Sequence, residues 1–369
     1  MRLYKLLVSA LVLAACDGRP VDVASEDAGA GRGGAQAGNG GAAGDTAGGA
    51  APAGTGGSSA ATSGASGAGG STSQLAGAGG PSPAPGGQLP VVSPITAVGI
   101  GAAHACFVRA NGTIECRGAN DRGQATPPRG TFLNVVAGAY HTCAQPLVDN
   151  APEPWVCWGD DSFGQTDAPA VPFDELTAGA RHTCGRLADQ ITCWGDDSLG
   201  QTSVPPLQNL AAVTIAAGSN HTCAILAPES YTASDRWIVC WGDDTHGQST
   251  PPEPGTTSQY FRLASGGDHS CVIGFSRLLT CWGDNAEGQS TAPTGDWTSV
   301  SVASGHGCAL TLDGTLGIDC WGTDWGSAAA APPAGKFGQV FTGDYVNCAI
   351  PQDQSEPTLC WGSTYEPWY

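Results

Sequence analysis

The chain has 369 residues, 56 of them Gly, and only 13% are charged. Its 14 Lys and Arg stand against 33 Asp and Glu, a formal net charge of −19. That balance excludes a phosphate-backbone binder, which needs clustered cations, and argues against attraction to anionic lipid headgroups.

The chain opens on a secretory address. Arg2 and Lys5 precede a short apolar run from Leu6 to Ala15, too short to span a bilayer and suited to a signal-peptide core. The run ends Leu13-Ala14-Ala15-Cys16. This resembles the lipobox of bacterial lipoproteins. The resemblance implies removal of residues 1–15 and a lipid (diacylglyceryl, with palmitate) on Cys16; the alternative is an ordinary thiol behind a secretory signal. Lipid, rather than a spanning helix, then anchors the protein in the cell envelope, at the outer membrane or cell surface.

Residues 16–86 read as a tether. Gly and Ala fill 40 of the 70 positions from Asp17 to Gly86, and no aromatic residue occurs there. Such a segment cannot bury enough apolar area to offset its ordering entropy, so disorder is expected. As a flexible coil it spans roughly 45 Å root-mean-square, taking about 5–6 Å times the square root of length.

Self-similarity organises residues 87–369. One repeat reads Gly179-Ala-Arg-His182-Thr183-Cys184, then Cys193-Trp194-Gly195-Asp196-Asp197-Ser198-Leu199-Gly200-Gln201. The same frame recurs at His141/Cys143/Cys157/Trp158, His221/Cys223/Cys240/Trp241, His269/Cys271/Cys281/Trp282 and His306/Cys308/Cys320/Trp321. Two copies are degraded: His104/Cys106/Cys116 has Arg117 for the Trp, and Cys348/Cys360/Trp361 carries Asn347, read as replacing the His. Short apolar stretches broken by Gly, Asp, Asn and Pro give an all-β class. Three or four strands per forty-residue unit predict a propeller blade.

Gly-x-x-His-Thr followed by Trp-Gly-Asp-x-x-x-Gly-Gln resembles the regulator of chromosome condensation repeat. The resemblance implies a seven-bladed β-propeller over residues 87–369, similar in architecture to secreted β-lactamase inhibitor proteins with this repeat. It is nearly silent on function, because such a scaffold hosts many. The last repeat lacks a Gly-Gln, while Gly87-Gln88-Leu89-Pro90 stands alone before the first. An N-terminal strand completing the final blade is the expected closure.

Fourteen cysteines remain after Cys16, two per repeat. One disulfide per blade is the simplest pairing, in an oxidising compartment: Cys106 with Cys116, Cys143 with Cys157, Cys184 with Cys193, Cys223 with Cys240, Cys271 with Cys281, Cys308 with Cys320, and Cys348 with Cys360. Metal is the alternative, since His-x-Cys plus a later Cys offers soft ligands. The wide Cys spacing and missing fourth ligand do not suit structural zinc. The repeated His reads as a structural ring bonding backbone at a blade turn, and the repeated Trp as blade packing. The acidic pairs Asp160/Asp161, Asp196/Asp197 and Asp243/Asp244 read as turn-capping side chains. Calcium is the alternative reading of those acids.

Gly-x-Ser-x-Gly, His-Glu-x-x-His and a phosphate loop are all missing from residues 87–369, so no catalytic residue, metal or cofactor is assigned. The repeats differ most between their paired cysteines, at Pro146–Trp155, Ala227–Trp237 and Pro351–Thr358. Equivalent insertions in a cyclic array emerge on one face. Trp, Tyr and Arg are frequent hot-spot residues, so Trp155, Tyr231, Arg236 and Trp237 are the expected partner-binding set. The expectation is a monomeric, lipid-anchored, extracytoplasmic protein-binding module. A carbohydrate-binding propeller is the alternative, and after it a hydrolase or lyase using an acid pair in the central channel.

Overall fold

In the computed structural model the chain divides into two units, Met1–Ala78 and Gly79–Tyr369. The structure describes residues 94–207, 210–228, 236–252, 260–323 and 332–362, all in the second unit. The signal peptide, Cys16, the tether, Gly87–Pro90 and Tyr231 lie outside the described residues.

The described residues form seven antiparallel sheets, one per repeat. Blade 1 is β1 (Ile95–Ile100), β2 (His104–Arg109) and β3 (Ile114–Gly118). Blade 2 is β4 (Phe132–Ala137), β5 (His141–Val148) and β7 (Val156–Gly159), with the two-residue β6 (Ala151–Pro152) extending its turn. Blade 3 is β8 (Glu175–Ala178), β9 (His182–Leu187) and β10 (Gln190–Gly195). Blade 4 is β11 (Leu210–Ala217), β12 (His221–Pro228) and β13 (Trp237–Gly242). Blade 5 is β14 (Tyr260–Gly266), β15 (His269–Gly274) and β16 (Leu279–Gly283). Blade 6 is β17 (Trp297–Val302), β18 (His306–Thr311) and β19 (Ile318–Gly322). Blade 7 is β20 (Phe337–Thr342), β21 (Val346–Pro351) and β22 (Leu359–Gly362).

The first strands follow one another around the ring, and β1 of blade 1 meets β20 and β21 of blade 7. The middle strand of each blade is the most buried, and β15 is buried along its whole length. It has a strand on either side and a neighbouring blade on each face. The core therefore lies between blades: Ile225 of blade 4 packs with Tyr260 and Val272 of blade 5, and Leu310 of blade 6 with Phe337 and Val340 of blade 7.

Each disulfide joins residues directly opposite on the second and third strands, Cys184 facing Cys193 and Cys271 facing Cys281. The remaining five occupy the same register. The seven pairs are those expected, with Cα separations of 4.0–4.1 Å. That spacing is near the roughly 4.5 Å of a non-hydrogen-bonded antiparallel pair. The sulfurs being bonded to one another, the metal alternative for these cysteines falls.

One register reading needs correction. Val346 faces Gly362 and Asn347 faces Trp361, as His182 faces Gly195 and Thr183 faces Trp194. Val346 therefore replaces the His of the last repeat, and Asn347 occupies the Thr position.

Candidate functional site

The repeated polar residues are spent between blades. His141 Nε2 lies 2.8 Å from Thr183 Oγ1 of the next blade. The hydroxyl of Thr183 donates to the Gln165 carbonyl at 3.0 Å, and the Trp194 indole N–H donates to the same oxygen at 3.1 Å. The pattern returns at His104 with Thr142, His182 with Thr222, His221 with Ser270 and His306 with Asn347. The His partner is thus a side chain one blade on, not the backbone of its own turn. Indoles of Trp158, Trp241, Trp282 and Trp321 likewise reach the preceding Gln carbonyl at 2.8–3.0 Å.

This chain of bonds fixes the histidine tautomer. Where the Thr gives its one hydroxyl proton to the Gln carbonyl, the imidazole must donate from Nε2. Nδ1 is then a bare lone pair in His104, His141 and His182, whose Thr partners donate to the carbonyls of Gln124, Gln165 and Gln201, and it is buried without a partner there, as is Nδ1 of His221. Desolvation pushes His104, His141 and His221 down to about 4, and His182 and His269 to about 3. His269 lacks the side-chain partner of the next blade, because the Thr position there is Gly307, and the Trp321 ring occupies the space a Cβ would need.

At the junction of blades 7 and 1, Val346 stands at the His position and Ala105 at the Thr position. Both belong to one apolar cluster with Ile95, Val98, Phe107 and Ile350. Ile100 Cγ2 lies where a Cβ on Gly343 would go, the place the His ring takes in other blades. Hydrogen bonds have been exchanged for packing at this seam.

The acids behave as turn caps. Asp161 Oδ1 accepts from Thr166 N at 3.0 Å, and Asp197 Oδ1 from Thr202 N at 2.9 Å. Asp160 and Asp243 accept from the amides of Gln165 and Gln248 at 3.0 Å. The Ser162 hydroxyl and the Arg122 guanidinium hold Asp160 below the ordinary carboxylate range. Among the described residues, no three His, Cys, Asp or Glu side chains gather as a metal ligand set.

Two glycines of each repeat serve different needs. Gly200 takes φ +82° beside open space, whereas a Cβ on Gly179 would overlap the His182 ring and the Gly218 carbonyl. Gly200→Ala is expected to cost about 1 kcal/mol in backbone strain. Gly179→Ala is expected to cost about 3 kcal/mol through overpacking. Urea midpoints of the two variants check this, and equal losses would contradict it.

The ring presents two faces. On one, the Trp-Gly-Asp turns bond the turns between first and second strands, as in Asp160 N to Tyr140 O and Asp196 N to Arg181 O, both 2.9 Å. A cavity of about 120 Å³ lies on the ring axis, lined by the Gly-x-x turns and inner-strand ends, with Asp344 its only carboxylate among the described residues. Asp344 accepts from Ser304 N at 2.9 Å. The acid pair that the hydrolase or lyase alternative requires is not assembled among these lining residues.

The opposite face carries the turns between second and third strands, where the insertions fall. Asp149 and Asn150 both take positive φ in the blade 2 turn, a conformation that short polar side chains tolerate. The structure divides the expected partner-binding set. Trp155 is 3% exposed and packs with Cys143, Phe173 and Leu176. Its indole donates to the Phe173 carbonyl at 3.0 Å. Trp155 is therefore core and cannot greet a partner, which corrects the expectation. Arg236 and Trp237 do sit together at the head of β13. Trp237 is 38% exposed. Arg236 donates to the Tyr260 carbonyl at 2.9 Å and lies over the Phe275 ring at 5.3 Å. Phe275, which lies under Arg236, and Phe261, Arg262, Arg277 and Leu278 of the same blade escaped the sequence reading. The Phe261-Arg262 pair inside β14 and the Phe275-x-Arg277 run after β15 are the available signal.

Comparison with known proteins agrees with this geometry. The regulator of chromosome condensation (RCC1) repeat matches residues 262–289. No curated protein matches the chain. The ectodomain of the receptor kinase CR4 from Physcomitrella patens is 25% identical with a TM-score of 0.58, over 74% of each chain. The CRINKLY WD40 ectodomain of ACR4 from Arabidopsis thaliana is 21% identical, TM-score 0.57, covering 73% of this chain and 96% of that one. Prp20p from Saccharomyces cerevisiae is 16% identical, TM-score 0.52, covering 66% and 75%. With one repeat matched directly to the regulator of chromosome condensation (RCC1) repeat and six more in the same frame, the described residues form a seven-bladed β-propeller.

Proposed function

We propose that the chain is a non-catalytic protein-binding module, displayed outside the cytoplasm by a lipid on Cys16 and the tether of residues 16–86. One observation carries the reading. Most of the repeated His, Thr, Trp, Gln and Asp side chains are consumed in joining blades and closing turns. Of the expected partner-binding residues that the structure describes, Arg236 and Trp237 remain outside the core. Seven disulfides favour an oxidising compartment. The CR4 likeness is to an ectodomain. Prp20p is described with binding to Gsp1p and histones, and yeast RCC1 with Kap60 bound; at their identity these support a scaffold and name no partner here.

The test is crosslinking of the tagged protein in its own envelope beside a copy carrying Arg236→Gln and Trp237→Ser. A protein captured by the intact chain and lost from the variant is the expected result. Capture of glycan alone, or of nothing, would overturn the reading; equal protein capture by both would overturn only the assignment of Arg236 and Trp237.

A further inference from the structure

The folded part carries ten cations among 28 acids in residues 87–369, yet three of them converge at the junction of blades 4 and 5. The Arg277 guanidinium lies 5.1 Å, and that of Arg262 5.6 Å, from the Phe261 ring centre. Arg236 covers Phe275 at 5.3 Å, and the two rings meet at 5.5 Å, tilted. Of the other arginines, Arg109 and Arg117 pair with Glu115, Arg122 with Asp160 and Arg186 with Glu175, while Arg181 lies singly over Phe163; among the described residues, only at blades 4 and 5 do three come together. Among the described residues, Arg236, Arg262 and Arg277 meet no carboxylate.

Stacking decides what such a cluster can receive. A guanidinium held over a ring face keeps its N–H edge for an acceptor in its own plane; Arg236 already gives one N–H to the Tyr260 carbonyl, so Arg262 and Arg277 carry most of that capacity. A carboxylate fits that edge with two parallel hydrogen bonds. A sugar needs a bare aromatic face, and here guanidinium groups stack on both phenylalanines. Beside the cations stand exposed apolar side chains, Leu278 at 58% and Phe275 at 49%. Carboxylates and apolar groups side by side belong to an acidic polypeptide.

We propose that Arg236, Arg262 and Arg277, with Phe275 and Leu278, form a docking site for an acidic protein segment interleaved with apolar residues. This rests on the binding-module reading and names the chemistry of its partner. The strongly negative remainder of the molecule repels such a segment and leaves this patch as its landing place.

Fluorescence anisotropy of the full chain in detergent, with a labelled random Glu-Tyr copolymer, is the test. Dextran sulfate serves as the glycan-like competitor. Arg262→Gln with Arg277→Asn is expected to weaken copolymer binding about tenfold or more, and Lys336→Gln less than about twofold. Asn is chosen because Arg277 has φ +66°. Unchanged melting temperatures confirm folding of both variants. Added salt is expected to weaken binding by the intact chain. No copolymer binding, equal loss in both variants, or tighter dextran sulfate binding would overturn the proposal. So would binding seen only after Glu229→Gln, Asp235→Asn and Glu253→Gln, which would assign the cations to this chain's own acids. If the arginine variant still captures the crosslinked partner, this surface fails and the binding-module reading stands.

Discussion

Acidification from pH 6.5 toward pH 4 is expected to strip the propeller of most of its stability. Burial holds five histidines neutral, with values of about 4 for His104, His141 and His221 and about 3 for His182 and His269. The unfolded chain titrates near 6.5 and so takes up protons first. Their contribution is complete above pH 6.5 and is lost as pH falls toward the folded values. Each histidine gives a slope of about 1.4 kcal/mol per pH unit in that window. Five together rival the roughly 5–15 kcal/mol that holds a domain folded. A second proton would sit on Nδ1, which faces no acceptor. The lowered carboxylates Asp160 and Asp197 act the same way only near pH 4 and below. Asp268, raised by desolvation, works in the opposite sense. Urea midpoints from about pH 7 to about pH 4.5 measure the slope. A flat profile would show that the rings titrate freely in the native state.

The second large effect is redox. Breaking all seven bridges is expected to leave a chain that does not hold the ring at 37 °C. The bridges close segments of 9–17 residues, each worth roughly 3 kcal/mol in the loop-closure view. They do not add cleanly, because neighbouring blades share a core. Cys184→Ala with Cys193→Ala alone is expected to cost about 2–4 kcal/mol. The first cysteine of every pair is fully buried, so reductant should act slowly until denaturant opens the blades. Near-ultraviolet circular dichroism after reduction follows the loss. A reduced protein with its melting temperature kept within a few degrees would show that packing alone sustains the ring.

Repetition made the blades readable. His, Cys, Trp and Gly-Gln return every forty or so residues, and a spacing that recurs this way fixes both the sheet count and the cysteine partners. Contacts that leave the repeat were not readable in the same way. His141 meets Thr183 across 42 positions, and no local pattern says which way around the ring a side chain turns. Asn347 was placed one position out of register, because the last copy has lost both His and Thr. Trp155 carries the residue type of a hot spot, and only the fold reveals Phe173 and Leu176 closing over it. The arginine cluster draws on β13, β14 and the turn after β15. Three segments of two blades contribute one or two residues each, and none of them looks basic by itself.

The covalent state of the protein in its own cells bears most directly on display outside the cytoplasm. Non-reducing peptide mapping by mass spectrometry reads that state in one experiment. The expected result is seven bridges within repeats, no free thiol, and a mature chain that begins at a lipid-bearing Cys16. Free thiols at Cys184 and Cys193, or an unprocessed chain beginning at Met1, would place the propeller in a reducing compartment and contradict its display outside the cytoplasm.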